Sequence, residues 1–258
     1  MGSKKHRDES RRNGSRSIRV GLAIGLCALA MVCVGPDRLV GRDNTAAEKP
    51  PAGQAQLQAV GLATHNNAAN NDGLLPLAVS STPDGNPLHS WRTAVLPWMD
   101  RAALHAAIDF SESWDSETNA FLRVDCPDEF QVPGSPESRT SFASFFAITG
   151  PDTPFPVNRR VSFDQLGSGD GASSTLMFVE AAGMEIEWAE PRDIPFAALS
   201  ASPEALRGKG PSSHRPNGDV LVLFCDGRSG LLSGKTDPAV LRAIATWNGE
   251  EPISLDDF

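Results

Sequence analysis

The chain lacks the short motifs that mark common metal and nucleophile sites. It contains no His-Glu-x-x-His, no Cys-x-x-Cys and no Asp-x-Asp-x-Asp-Gly segment, so no ligand spacing supports a metal or another cofactor. It also lacks the Gly-x-Ser-x-Gly and Ser-x-x-Lys patterns of serine nucleophiles. These absences favour a protein without catalytic activity.

Positive charge is scarce outside the first 19 residues. Residues 1–19 carry seven Lys and Arg against two acidic residues, a balance of +5, whereas the whole chain carries −9. The remainder therefore carries −14, and such an acidic surface would repel phosphate, which argues against nucleic acid as a partner. The chain is long enough to bury one good-sized core, and it shows no internal repeat.

One long uncharged run occurs, at residues 20–34, directly after the basic segment. Its fifteen residues would span about 22 Å as a helix, and snorkelling by Arg19 with local thinning would let it cross a bilayer. The positive-inside rule then leaves residues 1–19 in the cytoplasm and the main domain outside. We predict a single-pass membrane anchor at 20–36. A cleaved signal peptide, with Ala28-Leu29-Ala30 as its cleavage site, is the alternative.

The rest of the chain predicts an α+β domain. Residues 37–53 are predicted to be a tether, residues 54–250 the domain and residues 251–258 a tail. Apolar and small residues recur every three to four positions from Gln54 to Asn71, which predicts an amphipathic helix packed on a sheet. The resulting fold class is α+β, with a helix packed on a mainly antiparallel sheet.

The sheet is predicted around one late hairpin. The run from Asp219 to Cys225 is almost entirely apolar, and Asp226-Gly227 supplies a two-residue type I′ turn before 228–232. An apolar run of this kind indicates burial on both faces, at the centre of the sheet. Further strands are predicted at 141–148 and 175–181, with short helices at 100–108 and 115–124 and a closing helix from Pro238 to Trp247.

Two pairs of cysteines follow from this arrangement. Cys27 and Cys33 fall in the membrane segment and are expected to stay thiols. Cys126 and Cys225 fall outside the membrane, where a disulfide between them is permitted. The alternative is that Cys225 is simply a small buried apolar residue.

His214 is the residue most open to a functional interpretation. With Glu180, Asp219 or Asp226 it could form an acid/base or metal site, but a structural histidine that fixes the entry to the central strand is the simpler interpretation. Asp226 and Gly227 are explained as turn residues. Glu180 and Arg192 are candidates for an ion-paired cluster beside a ligand cleft, and Trp91 for a core residue or an aromatic contact.

Several segments resemble the bacterial DUF1559 family, whose members are prepilin-like and are also filed as solute-binding-like. The carboxy-terminal resemblance is His214 followed by a buried strand and Asp226-Gly227, although eleven residues intervene here where the family motif has nine. The other segments run in family order between about residues 57 and 247: 60–67, 87–92, 114–119, 174–180 and 188–193. No prepilin cleavage motif matches at the amino terminus, since cutting after Gly14 would leave Arg19 where that class carries Glu.

This resemblance implies that the domain is pilin-like and that the anchor lies in a bacterial inner membrane, with the domain outside the cytoplasm. A structural or interaction role in the bacterial envelope is the first hypothesis. Its expected partners are the inner membrane, through residues 20–34, and other envelope proteins or glycans. A tethered solute- or glycan-binding module, with Trp91, Trp98, Trp114 and Trp188 as contacts, is the second. A hydrolase that uses His214 with an acid is the third and weakest.

Overall fold

The fold is described by a computed structural model that covers residues 49–249. The predicted anchor at 20–34, the basic segment before it, most of the tether and the tail at 251–258 lie outside the described residues. Across residues 49–249 no helix combines the length and the apolar character needed to cross a bilayer.

Short elements joined by long loops make up residues 49–249. The helices are α1 (Gln54–Ala69), α2 (Trp91–Val95), α3 (Ala102–Ala107), α4 (Phe163–Ser168) and α5 (Pro238–Ala245). The strands are β1 (Val79–Ser81), β2 (Pro87–Ser90), β3 (Phe145–Phe146), β4 (Ile148–Thr149), β5 (Leu176–Glu180), β6 (Ile194–Pro195), β7 (Val220–Phe224) and β8 (Ser229–Leu232).

A four-stranded antiparallel sheet in the order β3-β5-β7-β8 forms the centre of the fold. All five residues of β5 and all five of β7 are buried, which the uninterrupted apolar run of β7 predicted. Two small sheets flank the central one: the β1–β2 hairpin and the parallel pair β4–β6. The prediction of an α+β fold with a mainly antiparallel sheet is confirmed for this part of the chain.

Helix α1 packs on the sheet through its small and apolar face, as its periodicity predicted. Leu57, Val60 and Thr64 are fully buried. A Cβ added to Gly61 would lie 2.4 Å from Leu223 Cδ2, so glycine allows the helix backbone to approach β7 closely. Helix α5 begins as predicted, because the Asp237 side chain accepts a hydrogen bond from the Ala239 N–H at 2.7 Å.

The β7–β8 hairpin departs from its prediction in two respects. Among its turn residues only Gly227 has a positive φ, of 89°, and the Phe224 N–H donates to the Arg228 carbonyl. The turn therefore has three residues with glycine in the left-handed position, and the two-residue type I′ prediction was wrong. The hairpin also lies at one side of the sheet, because β8 is an end strand among the strands of residues 49–249.

The two short helices predicted at 100–108 and 115–124 are shorter in the structure, because local hydrogen bonds and backbone angles limit them. Asp100 was expected to cap the helix predicted at 100–108, but it has a positive φ of 55°, and Arg101 occupies the cap position of α3 without a side-chain hydrogen bond. The helix predicted at 115–124 is reduced to a short 3-10 turn at Ala120–Arg123. The Asn119 side chain bonds backbone groups of Asp109 and Ser113, which fixes the preceding residues as a loop.

The predicted disulfide is not supported. Cys126 and Cys225 are separate free cysteines, and both are buried. The Cys126 N–H bonds the carbonyl of Thr140, whereas the Cys225 N–H bonds that of Thr175, at the far end of β7 from His214. Burial raises the pKa of both thiols, so each is held as a neutral apolar side chain. For Cys225 this agrees with the alternative interpretation.

Candidate functional site

His214 lies in the loop that leads into β7, and its side chain contacts a carboxylate of a distant loop. Its Nε2 is 2.9 Å from Glu137 Oε1 and 3.2 Å from Oε2. The His214 side chain is 31% exposed, whereas that of Glu137 is 8% exposed. The pair therefore joins the loop before β7 to the loop before β3 at the edge of the core.

Glu137 is also held by main-chain groups. The Gly183 N–H donates to its Oε1 at 2.8 Å. Burial alone would raise the pKa of Glu137, but the hydrogen bonds from His214 and Gly183 outweigh it and hold the pKa below its ordinary value of 4.5. Glu137 is thus a carboxylate at neutral pH, with its charge matched by donors of the protein itself.

Arg215, in the same loop, makes an ion pair with Glu180 at the end of β5. Glu180 Oε2 also accepts the Leu221 N–H at 3.1 Å, and Arg215 Nη2 donates to the Ala52 carbonyl at 2.8 Å. Burial raises the pKa of Glu180, while the Arg215 charge and the Leu221 N–H act against this rise. We name His214, Glu137, Arg215 and Glu180 the loop clamp, because they tie this loop to β5, β7 and the segment before α1.

The two serines beside His214 do not form a nucleophilic site with it. Ser213 Oγ donates to the Asp219 carbonyl at 2.6 Å, and Ser212 Oγ lies 2.9 Å from the Gly210 carbonyl. Both hydroxyls thus form hydrogen bonds with backbone carbonyls of the loop. The arrangement stabilises a loop and offers little support for the hydrolase hypothesis.

A polar cleft of about 210 Å³ lies next to the clamp. Arg215 and Asn217 line it, but His214 and Glu137 do not. In the described part of the chain no group of three His, Cys, Asp or Glu side chains could hold a metal ion.

Asp226 and Gly227 lie at the opposite end of β7 from His214, so the structure does not bring the two parts of the motif together. Asp226 accepts the Arg228 N–H at 2.9 Å and pairs with the Arg228 side chain. Asp226 therefore shapes the turn, as the simpler interpretation proposed.

Trp91 is a core residue and not a surface contact. It is fully buried, its ring stacks on Phe178 with centroids 4.2 Å apart, and its Nε1 donates to both carboxylate oxygens of Asp193. Trp188 is also fully buried. These two tryptophans cannot contact a glycan, so that part of the binding hypothesis was wrong.

The cluster predicted around Arg192 divides into two parts. Arg192 is itself half-exposed and pairs with Glu190 at 2.6 Å. The side chain of its neighbour Asp193 is fully buried and pairs with Arg92 at 2.9 Å, while Arg92 also donates to the Phe145 carbonyl. Burial raises the pKa of Asp193, and Arg92 counters this.

Sequence reasoning missed Glu137 and Arg215 as partners of the predicted residues. Glu137 belongs to an unremarkable loop sequence 77 positions before His214. Arg215 follows His214 directly in the sequence. Its role in fastening the loop is visible only from its ion pair with Glu180, which is 35 positions earlier in the chain. No spacing signal in the sequence could have found the pairings, because both are long-range contacts.

A test of the clamp follows from the pKa of Glu137. A carboxyl whose folded pKa is depressed contributes stability above its unfolded pKa and loses it as the pH falls through the folded value. We expect Glu137→Gln to lower the free energy of unfolding at pH 7 and to flatten the loss of stability below about pH 4.5. Urea titrations of both proteins between pH 3 and pH 7 measure this. If the free energies of unfolding of the two proteins differed by the same amount at every pH, the pKa of Glu137 would not be lowered by folding.

Comparison with known proteins gives a match to one family, and no activity is known for that family. Residues 52–160 match the family described as "Protein of unknown function (DUF1559)". This segment includes α1, the β1–β2 hairpin, Trp91 and Glu137. No curated protein and no solved structure matches the chain significantly.

Proposed function

We propose that this chain, of which residues 52–160 match the DUF1559 family, is a membrane-anchored extracytoplasmic protein whose domain acts by interaction and not by catalysis. In this proposal residues 20–34 hold the chain in the bacterial inner membrane. The domain from residue 54 onward is then displayed outside, where it contacts other envelope components.

The observation that carries the non-catalytic part is the loop clamp. His214, the residue most open to a catalytic role, has its Nε2 on a buried carboxylate that is also bonded to Gly183. The serines next to His214 are bonded to backbone carbonyls. A catalytic site needs a reactive group that faces a substrate, whereas the Nε2 of His214 and both serine hydroxyls are bonded to groups of the protein.

An exposed apolar surface supports the interaction part. Phe121 is 38% exposed and Val124 is 67% exposed, and both line a groove of about 580 Å³. Asp100, Asp125 and Asp128 also line this groove. Exposed apolar groups bordered by charge are characteristic of protein contact surfaces.

The glycan-binding alternative retains little support. Two of its four tryptophans are fully buried, and a third, Trp114, has the Arg123 guanidinium 5.8 Å from its ring centroid. A solute-binding role would depend on a cleft such as the one beside Arg215, whose volume of about 210 Å³ is below the usual range of ligand sites.

The proposal is tested by fractionating bacteria that express the intact chain. We expect the protein to remain in the membrane pellet after an alkaline carbonate wash and to be digested by protease added to spheroplasts. Ile24→Asp should release it, because a charge at the centre of the anchor is costly, while Ile24→Val should not. Intact protein in the cytosolic fraction, or a mature amino terminus at Met31, would contradict the anchor.

A further inference from the structure

Helix α3 is almost entirely apolar, yet none of its residues is buried. It consists of four alanines, one leucine and His105. A helix that is apolar on all sides is normally covered by other elements of a protein. Among the described residues no element covers α3 in this way, so the helix presents an apolar surface that a partner can bury.

A groove of about 580 Å³ separates α3 from residues 121–128, and we name it the α3 groove. It is lined by Asp100, Arg101, Ala103 and Leu104 on the α3 side and by Phe121 and residues 124–128 on the other. Leu122 is 1% exposed and anchors this second side in the core, whereas Phe121 and Val124 face outward. The volume of the groove is within the range of about 300–1,000 Å³ that is usual for binding pockets.

The two sides of the α3 groove are joined by an ion pair. Arg101 Nη2, at the start of α3, donates to Glu129 Oε1 at 3.0 Å and to Oε2 at 3.2 Å. On the second side, the Cys126 N–H donates to the Thr140 carbonyl at 3.2 Å, which fastens residues 124–128 to the loop before β3. The groove is therefore formed before a partner binds, and binding orders little additional chain.

Negative charge predominates around the α3 groove. Residues 100–129 contain eight acidic residues and only two cations, Arg101 and Arg123. Both arginines already pair with glutamates. In residues 49–249 no cation lies within ion-pair distance of the three aspartates that line the groove, Asp100, Asp125 and Asp128. The groove thus combines an apolar surface with three carboxylates whose charge is unmatched there.

This charge argues against several kinds of occupant. Anionic lipid headgroups and nucleic-acid phosphates would be repelled by the three aspartates. A second copy of the chain, placed groove against groove, would bring the same carboxylates opposite one another. A metal ion is not supported either, because no group of three His, Cys, Asp or Glu in the described range could hold one. A cationic polypeptide with an apolar side chain complements both features of the groove.

We propose that the α3 groove binds a segment of another protein in which bulky apolar side chains are flanked by lysine or arginine. This inference rests on the proposed interaction role of the domain and adds the class of partner. The apolar side chains of the segment pack between Leu104, Phe121 and Val124, and its cations pair with the three aspartates. Apolar burial supplies affinity, and charge selects the partner.

The test uses the full chain in a nonionic detergent and a synthetic peptide, Lys-Lys-Leu-Phe-Lys-Lys, with binding measured by isothermal titration calorimetry. We expect saturable binding of one peptide per chain. A peptide with glutamate in place of every lysine should bind at least about tenfold more weakly, and so should one with serine in place of Leu-Phe. Absence of saturable binding, or equal binding of the three peptides, would overturn the proposal.

Two pairs of variants locate the binding in the α3 groove. Val124→Ser should weaken it at least about fivefold, whereas Leu62→Ser on α1 should leave it unchanged. These two side chains are matched in exposure, at 67% and 64%. Asp125→Lys should weaken binding of the lysine peptide at least about tenfold and should allow the glutamate peptide to bind. Asp84→Lys, outside the groove, changes the net charge equally and should have little effect. All four residues are exposed, so each variant should keep the fold.

Three further results would overturn the proposal. The first is an equal loss of binding in a groove variant and its control. The second is a change of oligomeric state in Val124→Ser, because the groove would then hold a second copy. The third is binding that appears only after residues 1–19 are removed, because the chain's own basic segment would then fill the groove. A cytosolic chain that still binds the lysine peptide would contradict the membrane anchor alone and leave this proposal standing.

Discussion

Arg92→Ala is expected to lower the free energy of unfolding by about 3–5 kcal/mol, because it leaves the Asp193 carboxylate buried without its cation. Both side chains of this pair are 0% exposed. Arg92 also donates to the Phe145 carbonyl at 2.8 Å, so its loss removes a tie between α2 and β3. Chemical denaturation of the two proteins at pH 7 measures the difference.

The matched control for this prediction is Arg101→Ala. Arg101 pairs with Glu129 at 3.0 Å, but their side chains are 40% and 25% exposed. An exposed pair contributes about 0–1 kcal/mol, so this variant should be close to the wild type. If the two arginine variants were equally stable, the buried pair would not be part of the core as described.

Trp91→Ala is expected to cost about 3–5 kcal/mol, since it removes a large buried ring and leaves a cavity. The lost contacts include the stack on Phe178 and the edge contact with Phe130, at 4.2 and 6.0 Å between centroids. The Asp193 carboxylate also loses the hydrogen bond that it accepts from Trp91 Nε1. Thermal and urea unfolding monitored by circular dichroism measure the cost.

Two conservative variants separate the lost ring from the lost hydrogen bond. Trp91→Phe should lower the free energy of unfolding by about 1–3 kcal/mol more than Trp188→Phe does. Only Trp91→Phe removes a hydrogen bond to the buried Asp193 carboxylate. Trp188 is equally buried, but its Nε1 has no hydrogen-bond partner among the residues described. Equal costs would mean that the bond to Asp193 contributes no net stability.

The elements with strong local signals were predicted well. Helix α1 follows its three-to-four periodicity, α5 follows its Asp-Pro start, and β7 follows its apolar run. In each case the local pattern and the tertiary environment agree, because the buried face coincides with the apolar residues. The fold class could therefore be predicted from the sequence.

The errors occur where distant contacts decide local structure. The segment at 115–124 has helix-compatible residues, but the Asn119 side chain bonds the Asp109 and Ser113 carbonyls and so holds the chain against the preceding loop. The Asp-Gly turn is compatible with two loop lengths, and the bond from Phe224 to Arg228 selects the longer one. Propensity alone does not contain this information.

The candidate site was predicted in part. His214 and Glu180 do lie in one cluster, but their partners Glu137 and Arg215 were not foreseen. Asp226 was grouped with His214 by sequence proximity, although the length of β7 keeps them apart. A sequence indicates which residues are chemically able to act, whereas folding decides which of them meet.

A double-mutant cycle on His214 and Glu137 tests the central claim most directly, namely that this cluster fastens a loop and does not catalyse a reaction. The proteins are the wild type, His214→Ala, Glu137→Ala and the double variant, compared by urea unfolding at pH 6. We expect a coupling energy of about 0.5–1.5 kcal/mol, with faster amide exchange in residues 202–219 of either single variant. Zero coupling with unchanged stability in His214→Ala would contradict the claim.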